Sequence, residues 1–187
     1  GRPHARSVIR IGDNARVDHD RDADRASDDA ARHVRRVGWL LVSVQVVLLV
    51  LLVVLPRRGS LAWPPGVLEV LGVAFMVGGL TILLMSLITM GAALTPTPVP
   101  VDGAALRTAG IYSVVRHPIS VGLLIAALGF TIAIGSISQV LILLVLCVFL
   151  YAKSFWEDRL LAERHGATWF DYADHVGGFV PHLRGNR

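Results

Sequence analysis

Gly110-Ile111-Tyr112-Ser113-Val114-Val115-Arg116-His117-Pro118-Ile119-Ser120-Val121-Gly122 sets an Arg, a His and a Pro in succession between two strongly apolar segments. Pro118 disfavours the helical conformation at His117 and suits the first position of a new helix, so the spacing predicts a helix start here. The first turn of a helix carries unpaired N–H groups and the positive end of the helix dipole. Arg116 and His117 therefore stand where an apolar helix leaves a polar boundary, as interfacial anchors or as holders of a polar or anionic ligand group. Spacing alone leaves both readings open.

The surrounding composition says which boundary this is. Of 187 residues, 53% are hydrophobic and 17% charged, which excludes an ordinary soluble domain and points to an integral membrane protein. The fold class expected is an all-α membrane bundle of about four transmembrane helices, closed by a C-terminal interfacial helix. Net charge is +4, but half of the charges of either sign fall in the first 36 residues. No run combines basic and aromatic residues in the manner of a nucleic-acid surface, so the basic excess reads as contact with lipid headgroups. The single cysteine, Cys147, lies in an apolar run and excludes an intramolecular disulfide. No cluster has metal-ligand spacing; the Asp residues of the N-terminal part alternate with Arg.

In chain order, residues 1–31 form a polar tail with too little apolar surface to offset its ordering entropy, expected as disorder or an exposed polar helix. Residues 32–187 form the membrane domain. Its spans are expected at about 39–55, 67–93, 119–134 and 139–155. Trp63-Pro64-Pro65-Gly66 and the proline-rich stretch 95–100 separate the first three. Small residues Ala74, Gly78 and Gly79 in the second span, and Gly122, Ala126, Gly129 and Ala133 in the third, allow close helix contact. Gly135-Ser136-Ile137-Ser138 is a short turn, so the third and fourth spans form a hairpin. That hairpin carries Arg116-His117 and Glu157-Asp158 to one membrane side. Glu157 also stands four residues after Lys153, an ordinary helix ion pair. Residues 157–182 are expected as an amphipathic lid over that end.

Two blocks carry a resemblance. Gly110-x-Tyr112 followed by Arg116-His117-Pro118-x-Ser120-x-Gly122 resembles the Arg-His-Pro-x-Tyr-x-Gly signature of the isoprenylcysteine carboxyl methyltransferase family and its phospholipid methyltransferase relatives. Glu157-Asp158-x-Leu160, His165-Gly166-x-x-Trp169-x-x-Tyr172 and Val180-Pro181 are similar to that family's second block. Ser120 stands where the family has Tyr, Asp158 where it has a second Glu, and Gly177-Gly178 where many relatives carry an Arg.

The resemblance implies a methyltransferase that uses S-adenosylmethionine on a lipophilic acceptor reached from the bilayer. It implies cofactor contacts from Tyr112, Arg116, His117, Pro118, Gly122, Glu157 and Asp158. Of these, Arg116 and His117 would take the carboxylate, and Glu157 the amino or ribose groups. In-line methyl transfer needs alignment and exclusion of water and no nucleophile on the protein, so no catalytic residue is assigned. The acceptor is a carboxylate, a thiol or an amine, and Glu157 or Glu163 would take an amine's proton. The rival readings are an NADPH-dependent sterol-type reductase and a non-catalytic membrane protein keeping the fold. Arg32, Arg35, Arg36, Arg107, Arg116, Lys153, Arg159 and Arg164 fall on one side and Arg57 and Arg58 on the other. That asymmetry puts both termini and the site in the cytoplasm, in a plasma-membrane type of bilayer.

Overall fold

The protein, described by a computed structural model over residues 4–59, 61, 66–91 and 106–182, consists of five α-helices. They are α1 (His4–Val54), α2 (Val67–Met90), α3 (Pro118–Ile134), α4 (Ile137–His165) and α5 (Ala167–His175), with one turn of 3-10 helix at Gly110–Ser113. The stretches 62–65 and 95–100 lie outside the described residues. α1, α2 and α4 each contain a stretch long and apolar enough to cross a membrane, and α3 is a shorter apolar helix. Its 17 residues span about 26 Å. This is an integral membrane helical fold.

The polar tail, expected as disorder or an exposed polar helix, is helical and continuous with the first span. No proline interrupts the chain between Pro3 and Pro56, so α1 runs unbroken until Pro56 removes the next amide donor. Exposed pairs Arg25–Asp22 (2.9 Å) and Arg32–Asp29 (2.8 Å) join successive turns of its polar part. Such pairs add only tenths of a kcal/mol each.

α2 and α3 make the closest helix contact. Gly72 lies against the backbone of Gly129 and Ala133, and Gly79 against that of Gly122 and Ala126. A Cβ at any of Gly72, Gly79, Gly122 or Gly129 would collide with the opposing main chain. In α2 the buried positions are Gly72, Gly79 and Ser86, one heptad apart, which is the stripe an antiparallel helix pair shares. The expected contributors Ala74 and Gly78 are not in this seam: Ala74 is exposed and a Cβ on Gly78 meets nothing within 4 Å. Ala126, Gly129 and Ala133 take their expected place.

α1 is joined to the α3–α4 hairpin at the end away from His117. Leu52 of α1 packs with Ala127, Leu143, Leu146 and Leu150 in the buried cluster. The left-handed Gly135 (φ 61°) reverses the chain after α3. The turn that follows then caps α1: buried Gln139 donates its Nε2–H to the Leu55 carbonyl (3.1 Å), and the Ser138 hydroxyl accepts the Arg58 N–H (3.0 Å). Carbonyls left over at a helix end are thereby satisfied inside the fold.

The glycine seam makes a direct prediction. Gly79→Val would lower stability by about 1–3 kcal/mol through overpacking, whereas Gly78→Ala would change it by less than about 0.5 kcal/mol. Thermal unfolding of the two variants in detergent measures the difference, and equal destabilisation would remove the seam.

Candidate functional site

The chain segment that opens α3 is pinned from two directions. His117 occupies the N-cap with no cap bond from its own side chain, and Pro118 takes the first helical position. The backbone N–H groups of Arg116 and His117 donate to the Gly177 and Gly178 carbonyls (2.8 and 3.1 Å), and Val115 and Gly177 form a parallel bridge. A Cβ on Gly177 would collide with the Val180 carbonyl, so the bend that follows requires glycine. Gly177-Gly178, in the sequence a departure from the family pattern, is here the strap that holds the Arg-His pair.

With the backbone held, the side chains form one chain of ion pairs. His117 Nε2 lies 2.9 Å from Asp158 Oδ1 and its Nδ1 lies 3.3 Å from Glu157 Oε2. Arg116 reaches Asp158 Oδ2 at 3.3 Å, and Lys153 reaches Glu157 Oε1 at 2.7 Å. The helix pair with Lys153 and the cross-hairpin contact with His117 are thus both present. Each ring nitrogen of His117 faces a carboxylate, so both serve as donors and the ring is an imidazolium. Burial opposes that charge, but hydrogen bonds to Asp158 and Glu157 outweigh it and hold the His117 pKa above its ordinary value.

Arg116 is further covered by Trp169 of α5, its guanidinium 5.3 Å from the ring centroid. The Arg116 Nε–H is buried with no acceptor among the described residues. Tyr172 of α5 donates its hydroxyl to the Tyr112 carbonyl (2.6 Å), tying α5 under the same turn. Burial pushes both phenols up to about 12, so they stay neutral donors.

A cavity of about 550 Å3 opens beside this cluster. Arg116, His117 and Asp158 form its polar wall; Tyr151, Ser154 and Phe155 of α4 and residues 177–182 form the rest. Tyr151 meets Phe155 edge-on at 4.8 Å and Phe179 at 6.0 Å, so the far wall is aromatic. Of the seven residues expected to contact a cofactor, Arg116, His117 and Asp158 line this space. Glu157 stands behind His117, Tyr112 is buried beneath the turn, Pro118 is buried at the helix start, and Gly122 belongs to the α2 seam. Asp158, which departs from the family's Glu, is the carboxylate on the wall.

The sequence reading missed the aromatic wall and the strap. Tyr151, Ser154, Phe155 and Asp158 are spaced i, i+3, i+4, i+7, so following one face of α4 back from Asp158 would have found the first. The lid also differs from expectation. Residues 157–165 continue α4, and the cover is shared by the short helix α5, through Trp169 over Arg116, and the non-helical stretch 177–182.

With this geometry in place, known proteins bear on it. The family model of phospholipid methyltransferase matches residues 67–168, from the start of α2 into α5. The chain belongs to the phospholipid methyltransferase family. A solved structure of the eukaryotic intramembrane Ras methyltransferase, isoprenylcysteine carboxyl methyltransferase, is similar with a TM-score of 0.57 and 19% sequence identity. The match covers 84% of this chain and 54% of that one, so this chain spans about half the length of that protein. At that identity the likeness speaks for the fold alone. No curated protein sequence matches the chain.

The imidazolium can be tested by its pH dependence. With the folded pKa raised, the stabilisation from His117 is fully present below the unfolded value of about 6.5 and is lost as pH rises through the folded value. The gap in unfolding temperature between the protein and His117→Gln should therefore narrow from pH 6 to pH 9. A gap that widens with pH would contradict a charged ring.

Proposed function

We propose that this protein is an integral membrane methyltransferase that uses S-adenosylmethionine and acts on a lipophilic acceptor arriving from the bilayer. The observation that carries the reading is the cavity with a cationic and acidic wall on one side and an aromatic wall on the other, in a chain of this family. Its volume lies in the usual range for a small-molecule site.

The residues present suit the cofactor. Its methionyl carboxylate would be held by Arg116, whose buried Nε–H is otherwise without an acceptor. Its amino or ribose groups would lie toward Asp158. The rings of Tyr151, Phe155 and Phe179 offer π faces to a positive sulfonium. When bound, the cofactor supplies an electrophilic methyl group. The chain supplies position and dryness: His117 fixes both carboxylates, the Gly177–Gly178 strap holds the Arg-His pair, and residues 179–182 shield the cavity.

Residues 32–187 form the working unit, with the polar first part of α1 outside it. The excess of basic residues at the site end, with Arg57 and Arg58 opposite, supports a cytoplasmic position for that end and both termini. Carboxylate, thiol and amine acceptors all satisfy this reading.

Calorimetric titration of detergent-purified protein with S-adenosylhomocysteine tests it. Saturable binding is expected, weakened at least about tenfold in Arg116→Ala by loss of a charge-assisted contact and abolished in His117→Ala. NADPH should give no binding. Binding of NADPH alone would assign a reductase, and folded protein that takes neither would be non-catalytic.

A further inference from the structure

We infer that His182 is the proton acceptor for the methyl acceptor, and that the acceptor is therefore a group that must lose a proton, an amine or a thiol rather than a carboxylate. This rests on the methyltransferase reading above.

Most polar groups on the cavity wall are already committed to one another. Asp158 is bonded by both Arg116 and His117, and Glu157 by both His117 and Lys153. Each carboxylate thus answers two cations and has its oxygens engaged. Each nitrogen of His117 faces a carboxylate, so the ring is engaged on both sides and has no free nitrogen to offer. Arg116 cannot deprotonate, and the hydroxyl of Ser154 is spent on the Leu150 carbonyl (2.9 Å). Tyr151 brings a phenol, which at neutral pH gives a proton rather than takes one. Glu163, expected from sequence as a proton acceptor, is exposed and off the wall.

His182 remains. It lines the cavity with no hydrogen bond or ion pair among the described residues. Its Nδ1 would lie 3.4 Å from a Cβ built on Gly177, so the ring sits beside the strap that positions Arg116. It is also exposed, which gives a received proton a path to solvent. Imidazole is the side chain that exchanges protons nearest neutral pH.

The step balances without any further reactant. The acceptor's X–H bond breaks and its proton passes to the free ring nitrogen of His182. The X–C bond forms as the sulfonium S–C bond breaks, and that bond's electrons return to sulfur to leave a neutral thioether. An ammonium acceptor would give up its first proton to the same ring and the second after transfer. A carboxylate acceptor needs no such base.

Three probes of equal chain length, dodecylamine, dodecanethiol and dodecanoate, test this with the full-length protein in detergent. Methyl transfer to the amine or the thiol is expected, falling about 10²-fold in His182→Ala and His182→Gln. Added imidazole should restore activity to His182→Ala. S-adenosylhomocysteine should still bind saturably to both variants, which separates the loss of transfer from a loss of the site. A second readout needs no turnover: the His182 ring resonance, assigned by its absence in His182→Gln, should shift with the amine or the thiol and not with dodecanoate. Methylation of dodecanoate alone, transfer to none of the three, full rates in both variants or an unmoved resonance would each overturn the role of His182. Failure of the unaltered protein to bind S-adenosylhomocysteine would overturn the methyltransferase reading beneath it.

Discussion

One imidazole, held by a carboxylate at each nitrogen, ties the start of α3 to the C-terminal half of α4. His117 is 8% exposed, and its partners Glu157 and Asp158 are themselves largely covered. Charges this deep are tolerated only when each is answered, and here Lys153 and Arg116 close the two ends of the chain. Removing one member would strand its neighbours, which makes the cluster a unit rather than a set of independent contacts. The cavity depends on that unit because its polar wall is made of Arg116, His117 and Asp158.

The cluster could not form without constraints at some distance from it. The α2–α3 glycine seam lets two backbones approach too closely for any Cβ, and so sets how α3 lies against α2. At the opposite end, Gln139 and Ser138 cap the last carbonyls of α1 and hold the α3–α4 turn in place. Antiparallel helices joined by a two-residue turn and locked at that end bring their far ends together. Arg116-His117 and Glu157-Asp158 meet for this reason, although 40 residues separate Glu157 from His117 in the chain.

The two walls of the cavity differ in character. Tyr151 and Phe155 are more than half exposed on the outer side of α4 and yet border the cavity, so its aromatic wall is continuous with the apolar surface. The polar wall is closed instead by a strap held through two backbone hydrogen bonds and by α5, anchored through Trp169 and Tyr172. A cover held by so few bonds is the kind of element that opens at low free-energy cost.

Much of this was legible in the residues. Apolar runs bounded by prolines and glycines, the helix start at Pro118 and the short turn at Gly135 are local signals, because hydrophobicity and backbone freedom act within a few residues. The convergence of Arg116, His117, Glu157 and Asp158 followed from hairpin connectivity. The tail was legible only as a choice between disorder and an exposed polar helix, since weak apolar content argues against packing but does not forbid helix continued from a stable span. Not legible were the choice of Gly72 over Gly78, the division of labour between Glu157 behind the histidine and Asp158 on the wall, and the use of Gly177 as a strap. Each depends on how one helix is rotated against another, or on where a chain returns after α5. The sequence by itself therefore determined which segments are helical and which charged residues share an end. Only the tertiary structure decided which of those charges pair and which face the cavity, because contacts of a few ångströms are set by helix rotation and register, quantities that no local pattern encodes.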